Sequence, residues 1–360
     1  MKILHCLFTI KTGGAQILVV DMLNEMSRHH DVSLVIVNDQ LNQKILAQLN
    51  NGVKLYLINR KEGSLNPIPV LKLNLLLLKL KPDIIHCHEA NMARFIKVRG
   101  GKLVYTIHDV GIPVSLYHHF DSVVAISGAV FTDAASRISG NIKKVFNGIP
   151  IGCFKQRKDY RLRLDEKYRL VQVSRLMHTK KGQEVLLRAL HKVIYDFGFV
   201  NVTLDLIGSG ESLAYLHELV EDLNLGQYVR FLGEKDREWL FVNLKKYHLL
   251  VQPSFYEGFG LTILEGLAAG IPVLASNVDG PAEIIAQTNG GFLFEKGNVE
   301  NCAKEILRLL KMYEDKQVED MMHQTIGRVQ DRYSIQSCVR AYLLEYTDII
   351  KPKNVKLQTA

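Results

Sequence analysis

The sequence predicts an α/β protein built of two parallel sheets, each covered by helices. Three observations carry that reading. Short apolar, β-branched runs alternate with helix-length segments along the chain, the pattern left by strand–helix–strand crossovers. The alternation breaks once, at 151–167 (IGCFKQRKDYRLRLDEK), a charged stretch without a period that reads as an interdomain linker. A chain of 360 residues gives each half enough length for its own core. The expected domains are 1–160 and 161–334, with 335–360 forming a last helix and a tail.

In the first half, strands are expected at 2–8, 32–37, 53–57, 84–86, 102–107, 122–125 and 143–146. In the second half they are expected at 168–173, 203–207, 229–232, 249–251 and 273–275, with a short one at 291–294. Helix-like segments are expected at 17–26, 261–269, 298–314 and 335–349, the last two on their helical apolar spacing. The tail 351–360 is polar and is expected to fray.

A hydrophobic share of 47% with 23% charged residues is that of an ordinary globular chain. The longest aliphatic run, 75–78, has Lys72, Lys79 and Lys81 beside it and is far too short to span a bilayer. The N-terminal apolar stretch lacks a small-residue cleavage site and runs at once into Lys11 and Gly13-Gly14, so it reads as a first strand rather than a signal peptide. Five scattered cysteines without metal or redox spacing suit a reducing cytoplasm.

The net charge of +8 is uneven: residues 1–150 hold 17 basic against 10 acidic side chains, the remainder 28 against 27. A basic first half is compatible with nucleic acid, an anionic lipid surface or a phosphorylated acceptor, and equally with a merely basic surface. No aromatic-interleaved basic stripe or nucleic-acid motif is present. The segment 67–80, apolar with lysines, reads either as a membrane-surface helix or as a core helix.

The chemistry concentrates at 251–285 (VQPSFYEGFGLTILEGLAAGIPVLASNVDGPAEII). Glu257 and Glu265 stand eight positions apart, separated by the turn Gly258-Phe259-Gly260 and the apolar start of a helix at Leu261. A strand, a glycine turn and a helix start make an anion site, because the first helical N–H groups are free. Glu257 is expected in the turn and Glu265 about two turns into the helix, both facing one hydroxyl-rich ligand whose hydroxyls a carboxylate can accept. For the glutamate pair alone, an ordinary βα unit with surface carboxylates reads equally well.

With its flanks, Pro253-Ser254, Gly270-Ile271-Pro272-Val273 and Gly280-Pro281-Ala282-Glu283, this stretch resembles the glutamate-seven-residue-glutamate signature of retaining glycosyltransferases of family 4. The resemblance covers nearly the whole chain. It implies the GT-B fold: two Rossmann-like domains facing a deep interdomain cleft, with the C-terminal helix crossing back to the first domain. It implies that Glu265 holds ribose hydroxyls and that Glu257 holds sugar hydroxyls. Gly258, Phe259, Gly260 and Leu261 then line the donor site.

Other motifs take their place in that pattern. Lys11-Thr12-Gly13-Gly14-Ala15-Gln16 is a strand-to-helix turn whose glycines would let a phosphate approach the backbone, and it is similar to the Gly-Gly-Ala turn that faces the donor diphosphate in the family. Arg175 and Lys181, six apart after a strand, form either a pair of solvated charges or a pyrophosphate clamp that stabilises the departing nucleoside diphosphate. The family carries an arginine and a lysine at this spacing, which implies the clamp. Ser174 stands where the family often has glycine. Gly208 belongs to an incomplete Gly-x-Gly turn, and Glu234 opens a loop that borders the base in the family.

His108 closes a strand at the edge where α/β folds place ligands, and the resemblance puts it near the transferred sugar. His86 and His88 share a strand face and read as a metal pair, but no third ligand is evident nearby in the sequence, which favours acceptor contact or plain structure. No Asp-x-Asp element stands ready to chelate a metal diphosphate. The resemblance implies a retaining reaction, and the missing Asp-x-Asp element a metal-independent one, with no cofactor. It moves a hexose or N-acetylhexosamine from a UDP-sugar, or second a GDP-sugar, to a glycan or polyprenyl-diphosphate-linked acceptor. Bacterial surface polysaccharide (O-antigen, capsule) is the expected product class, made by a cytoplasmic enzyme that is peripheral on the inner face of the membrane. A sugar-nucleotide epimerase of the same fold and a non-catalytic sugar-nucleotide binding protein are the rivals. An NAD-dependent dehydrogenase is disfavoured by the broken glycine fingerprint.

Overall fold

The computed structural model describes residues 1–11, 13–98, 100–162 and 166–351. They divide into two compact units, 1–148 with the returning C-terminal segment from Ile335, and Ile149–Ser334. Of the expected tail 351–360, residues 352–360 lie outside the described residues.

The first unit holds β1 (Lys2–Leu7), β2 (Asp31–Asn38), β3 (Val53–Arg60), β4 (Ile84–Cys87), β5 (Lys102–Ile107), β6 (Ser122–Ala125) and β7 (Ile142–Lys144). All pair in parallel in the order β3-β2-β1-β4-β5-β6-β7. The inner strands β1, β2, β4, β5 and β6 are buried on both faces, which is why they read as apolar runs rather than alternating ones, whereas the edge strands β3 and β7 are partly exposed. One core layer joins Ile3, Val32, Leu34 and Ile36 to the helix Gly14–Met26 and to Val339, Tyr342 and Tyr346 of the helix Ile335–Ile350. The other joins Leu4, Val35 and Ile85 to Leu73 and Leu77 of the helix Ile68–Leu80.

The second unit holds β8 (Tyr168–Val173), β9 (Val202–Ile207), β10 (Val229–Gly233), β11 (Leu249–Gln252), β12 (Val273–Ser276) and β13 (Gly291–Phe294). They form a parallel sheet ordered β10-β9-β8-β11-β12-β13. In each sheet the strand order reverses once, between β1 and β4 and between β8 and β11. Ligands of doubly wound sheets sit at the carboxyl ends of the strands flanking that reversal.

Of the expected linker 151–167, residues 163–165 lie outside the described residues, and 151–160 is not a free linker. The first unit ends at residue 148 rather than 160, and 149–160 belong to the second unit. Ile149 N–H donates to the Tyr333 carbonyl at 2.9 Å, Arg157 reaches the Tyr247 carbonyl at 3.0 Å, and Tyr160 donates to the Gly270 carbonyl at 2.8 Å. Arg157 and Tyr160 thus tie this stretch to carbonyls of the second unit.

Candidate functional site

In the second unit, the loop after β8 is held against the loops after β9 and β11. Leu176 N–H donates to the Ser209 carbonyl at 2.8 Å, and Phe255 N–H to the Lys180 carbonyl at 2.9 Å. Gly182 makes the second approach feasible. Its φ is +68° and an added Cβ would lie 1.9 Å from the Pro253 carbonyl oxygen. Gly208 plays the same part beside β9, where a Cβ would lie 2.0 Å from the Ser174 carbonyl oxygen.

This packing brings Lys181 and Glu257 together. Lys181 Nζ lies 2.5 Å from Glu257 Oε2, and both side chains are 19% exposed. Ser254 Oγ stands 3.5 Å from the same carboxylate oxygen. Arg175 is not drawn into that pair. It points to Glu211, 3.1 Å away, in an exposed ion pair. Glu234 accepts from the Ser209 hydroxyl, which ties the β10 loop to the Gly208 turn.

Gly260 caps the helix Leu261–Ala268 with φ +103°. Glu265 is the fifth residue of that helix, one turn past Leu261 and nearer its start than the expected two turns. Phe259 turns its side chain into the core. Its ring is 4% exposed and packs edge-on against Tyr333, and Gly280 lies so close that a Cβ there would sit 2.4 Å from Phe259 Cα. The Phe259 side chain therefore anchors the loop to the core, and only its backbone is left to meet a ligand. Gly258 and Gly260 are buried beside it.

Beneath the loops lies a polar floor that the sequence reading missed. Gln172 donates to the Lys181 carbonyl at 2.9 Å, Gln183 to the Arg175 carbonyl at 2.9 Å, and Gln252 to Ser254 Oγ at 2.9 Å. All three glutamines are buried. Their only sequence signal is a polar residue inside an apolar strand or helix face.

In the first unit, Gly13 precedes the helix Gly14–Met26 in extended backbone, with φ 179°. A Cβ there would meet only Gln16 Oε1, the far end of a flexible side chain, at 2.6 Å. Neither backbone geometry nor packing demands this glycine, so a need for it has to come from a ligand. His108, just past β5, is half-buried, and burial pushes its pKa down to about 4 although Asp109 pulls the other way. Its Nε2 lies 3.1 Å from His88 Nδ1. Glu89, next to His88, is pushed up to about 7 by burial, partly offset by the Phe8 N–H.

The missing third histidine exists. His5 of β1 joins His86 and His88, with ring nitrogens of all three within 4.8 Å of one another. Sequence could not show it, because parallel pairing of β1 with β4 sets His5 opposite His86 across a long crossover. The donor set does not fit a metal. His86 is held by Tyr346 and Thr106 at 2.5 and 2.7 Å, and His88 by His5 and His108 at 3.0 and 3.1 Å. A ligating ring needs an uncommitted lone pair, and of these three rings only His5 has an unpartnered nitrogen, Nε2.

Two family models match in tandem: Glycosyltransferase Family 4 over residues 12–151, and Glycosyl transferases group 1 over residues 154–325. The chain belongs to the group 1, family 4 glycosyltransferases. Among curated relatives, this glycosyltransferase is 27% identical over 308 residues to N-acetyl-alpha-D-glucosaminyl L-malate synthase of Bacillus anthracis, covering 76% of this chain and 77% of that one. Its fold is GT-B. The Anabaena HepE structure in complex with UDP and glucose superposes with TM-score 0.78 at 22% identity, over 96% of this chain and 99% of that one. A mutant of S. aureus TarM, solved with fondaparinux, alpha-GlcNAc-glycerol and UDP, gives 0.77 at 15% identity, over 98% and 100%.

Proposed function

We propose that this glycosyltransferase moves a hexose or N-acetylhexosamine from a UDP-sugar to a glycan or polyprenyl-diphosphate-linked acceptor, with retention and without a metal. The Lys181–Glu257 pair at the strand reversal of the second sheet carries the reading. An ammonium and a carboxylate held side by side suit a ligand that is anionic at one end and hydroxylated at the other. Glu265 takes the ribose hydroxyls, Glu257 the sugar hydroxyls, and Arg175 and Lys181 the diphosphate. UDP in the HepE and TarM structures favours uridine as the base, with GDP second.

The test is a thermal-shift panel with UDP, GDP, ADP, NADH and their common sugar conjugates, on the wild type and on Glu265→Ala. A ligand at a hundredfold its Kd adds about 2.7 kcal/mol. Stabilisation by UDP that is weakened in the variant supports the donor site, whereas stabilisation by NADH or by nothing sinks it. Product analysis without acceptor separates transfer from epimerisation. The anomeric configuration of the product tests retention, and rates in chelator test metal independence.

The acceptor reading adds a membrane surface in bacterial polysaccharide synthesis, at the inner face of the cell membrane. The helix Ile68–Leu80 buries Leu73 and Leu77 but exposes Ile68, Leu71, Leu75 and Leu78, each at least half exposed, beside Lys72 and Lys79. An apolar stripe flanked by lysines suits the interface of anionic lipid. Among the described residues no helix is long and apolar enough to cross a membrane. Sedimentation with phosphatidylglycerol vesicles at low salt tests it. Binding lost in Leu71→Glu/Leu75→Glu supports the surface, and absence of binding by the wild type rejects it.

A further inference from the structure

A row of histidine rings runs from the core of the first sheet to its ligand edge. His5 Nδ1 lies 3.0 Å from His88 Nε2, and His88 Nδ1 lies 3.1 Å from His108 Nε2. His5 and His88 are buried and His108 is half-buried. The inner end of the row is blind, for His5 Nε2 has no partner.

Burial holds these rings neutral: His5 falls to about 3, His108 to about 4, and His88 well below its usual value. A neutral imidazole carries one N–H and one lone pair. Three rings in a row therefore have two proton patterns. With every N–H directed inward, His5 Nε2–H ends in the core with no acceptor. With every N–H directed outward, His5 Nδ1–H donates to His88 and His88 Nδ1–H donates to His108 Nε2. Only a lone pair is then left unused at the blind end. Orphaned buried N–H groups are rarer than under-used acceptors, so the outward pattern prevails.

We propose that His5 and His88 are positioning residues that lock His108 as its Nδ1–H tautomer, making it a fixed, neutral hydrogen-bond donor to a substrate oxygen. The proposal rests on the reading of His108 as a substrate contact. It also removes one role. With Nδ1 protonated and Nε2 occupied by His88, His108 has no lone pair with which to take the acceptor's proton, which leaves the departing diphosphate to accept it.

The test is a long-range proton–nitrogen correlation spectrum of the full chain carrying ¹⁵N-labelled histidine at pH 7, with His108 assigned by its loss in His108→Asn. The expected result is a protonated Nδ1 and a bare Nε2 on His108. His88→Leu is expected to give mixed tautomers and a kcat about tenfold lower at unchanged KM for the UDP-sugar, the worth of one oriented hydrogen bond. His88→Asn, whose amide N–H replaces the ring Nδ1–H, is expected to restore both. A protonated Nε2 in the wild type overturns the lock whether or not His88→Leu folds. So does an unchanged tautomer in His88→Leu, or one equivalent of tightly held zinc in the purified protein. If the lock is seen but His108→Asn transfers sugar at the full rate, the reading of His108 as a substrate contact fails while the positioning chain stands.

Discussion

Lys181 and Glu257 meet at 2.5 Å although they lie on loops after different strands, β8 and β11. Each presets the other before any donor arrives. Removing either charge is expected to lower kcat by about 10²–10³, the usual cost of losing one preorganised group that stabilises transition-state charge. Lys181→Met and Glu257→Gln combined are expected to cost far less than the product of the single losses, because they act as one unit. Steady-state rates on the four proteins decide; strictly multiplicative losses refute the coupling.

Arg175 rests against Glu211 in an exposed pair, an arrangement worth about 0–1 kcal/mol. A diphosphate that recruits Arg175 has to break it. Glu211→Gln is therefore expected to tighten UDP binding up to a few-fold, read by calorimetry. Weaker binding counts against a diphosphate role for Arg175.

Gly182 and Gly13 make opposite demands. Gly182→Ala drives a Cβ into a backbone carbonyl at left-handed φ and is expected to cost about 3 kcal/mol or more. Gly13→Ala displaces only the end of Gln16 and is expected to cost under about 1 kcal/mol while weakening UDP-sugar binding. Denaturant melts and donor titrations on both variants test the contrast. A Gly13→Ala protein with wild-type affinity removes that turn from the donor site.

Buried neutral histidines set the acid limit. His5 and His248 titrate near 3 in the folded chain, both through burial, and near 6.5 when unfolded. The unfolded state therefore binds more protons below about pH 6.5, and stability falls as pH drops from there toward 3. Each ring costs about 2 kcal/mol at pH 5, a large share of a typical domain's stability of about 5–15 kcal/mol. Tm is expected to be level above pH 7 and to fall steeply between pH 6.5 and 5. A flat profile would falsify the neutral assignment.

Tyr346 is expected to secure the C-terminal helix. Tyr346→Phe leaves His86 Nδ1 buried without its partner at 2.5 Å and is expected to cost about 1–3 kcal/mol. Leu344→Gln, at a position 62% exposed on the same helix, is expected to stay within about 0.5 kcal/mol. Equal effects in thermal melts argue against the anchor.

The inner strands were legible because a parallel sheet buried on both faces leaves apolar, β-branched-rich runs such as 34–37. Glu257, Arg175 and Lys181 were legible as members of motifs, but their contacts were not. Nothing local tells Lys181 to face Glu257 and Arg175 to face Glu211, because the partners arrive on other strands. His5 stayed hidden in mid-strand for the same reason. The burial of Phe259 was not legible, because Tyr333 and Gly280, which seat its ring, lie far away in sequence. The stretch 151–160 was misjudged because its hydrogen-bonding side chains serve carbonyls far away in sequence.

The helix Ile335–Ile350 supplies Val339, Tyr342 and Tyr346 to the core of a unit whose other residues end at 148. On the ribosome, all of 149–334 must be made before that helix emerges. At about 5–20 residues per second the wait is roughly 10–40 s. The second unit, continuous in sequence, can complete its core meanwhile. The nascent first unit leaves Thr106 and His86 uncovered for that interval, the helix partners Tyr342 and Tyr346 not yet existing. Birth order thus makes the N-terminal half the last to mature, and the half most in need of a chaperone.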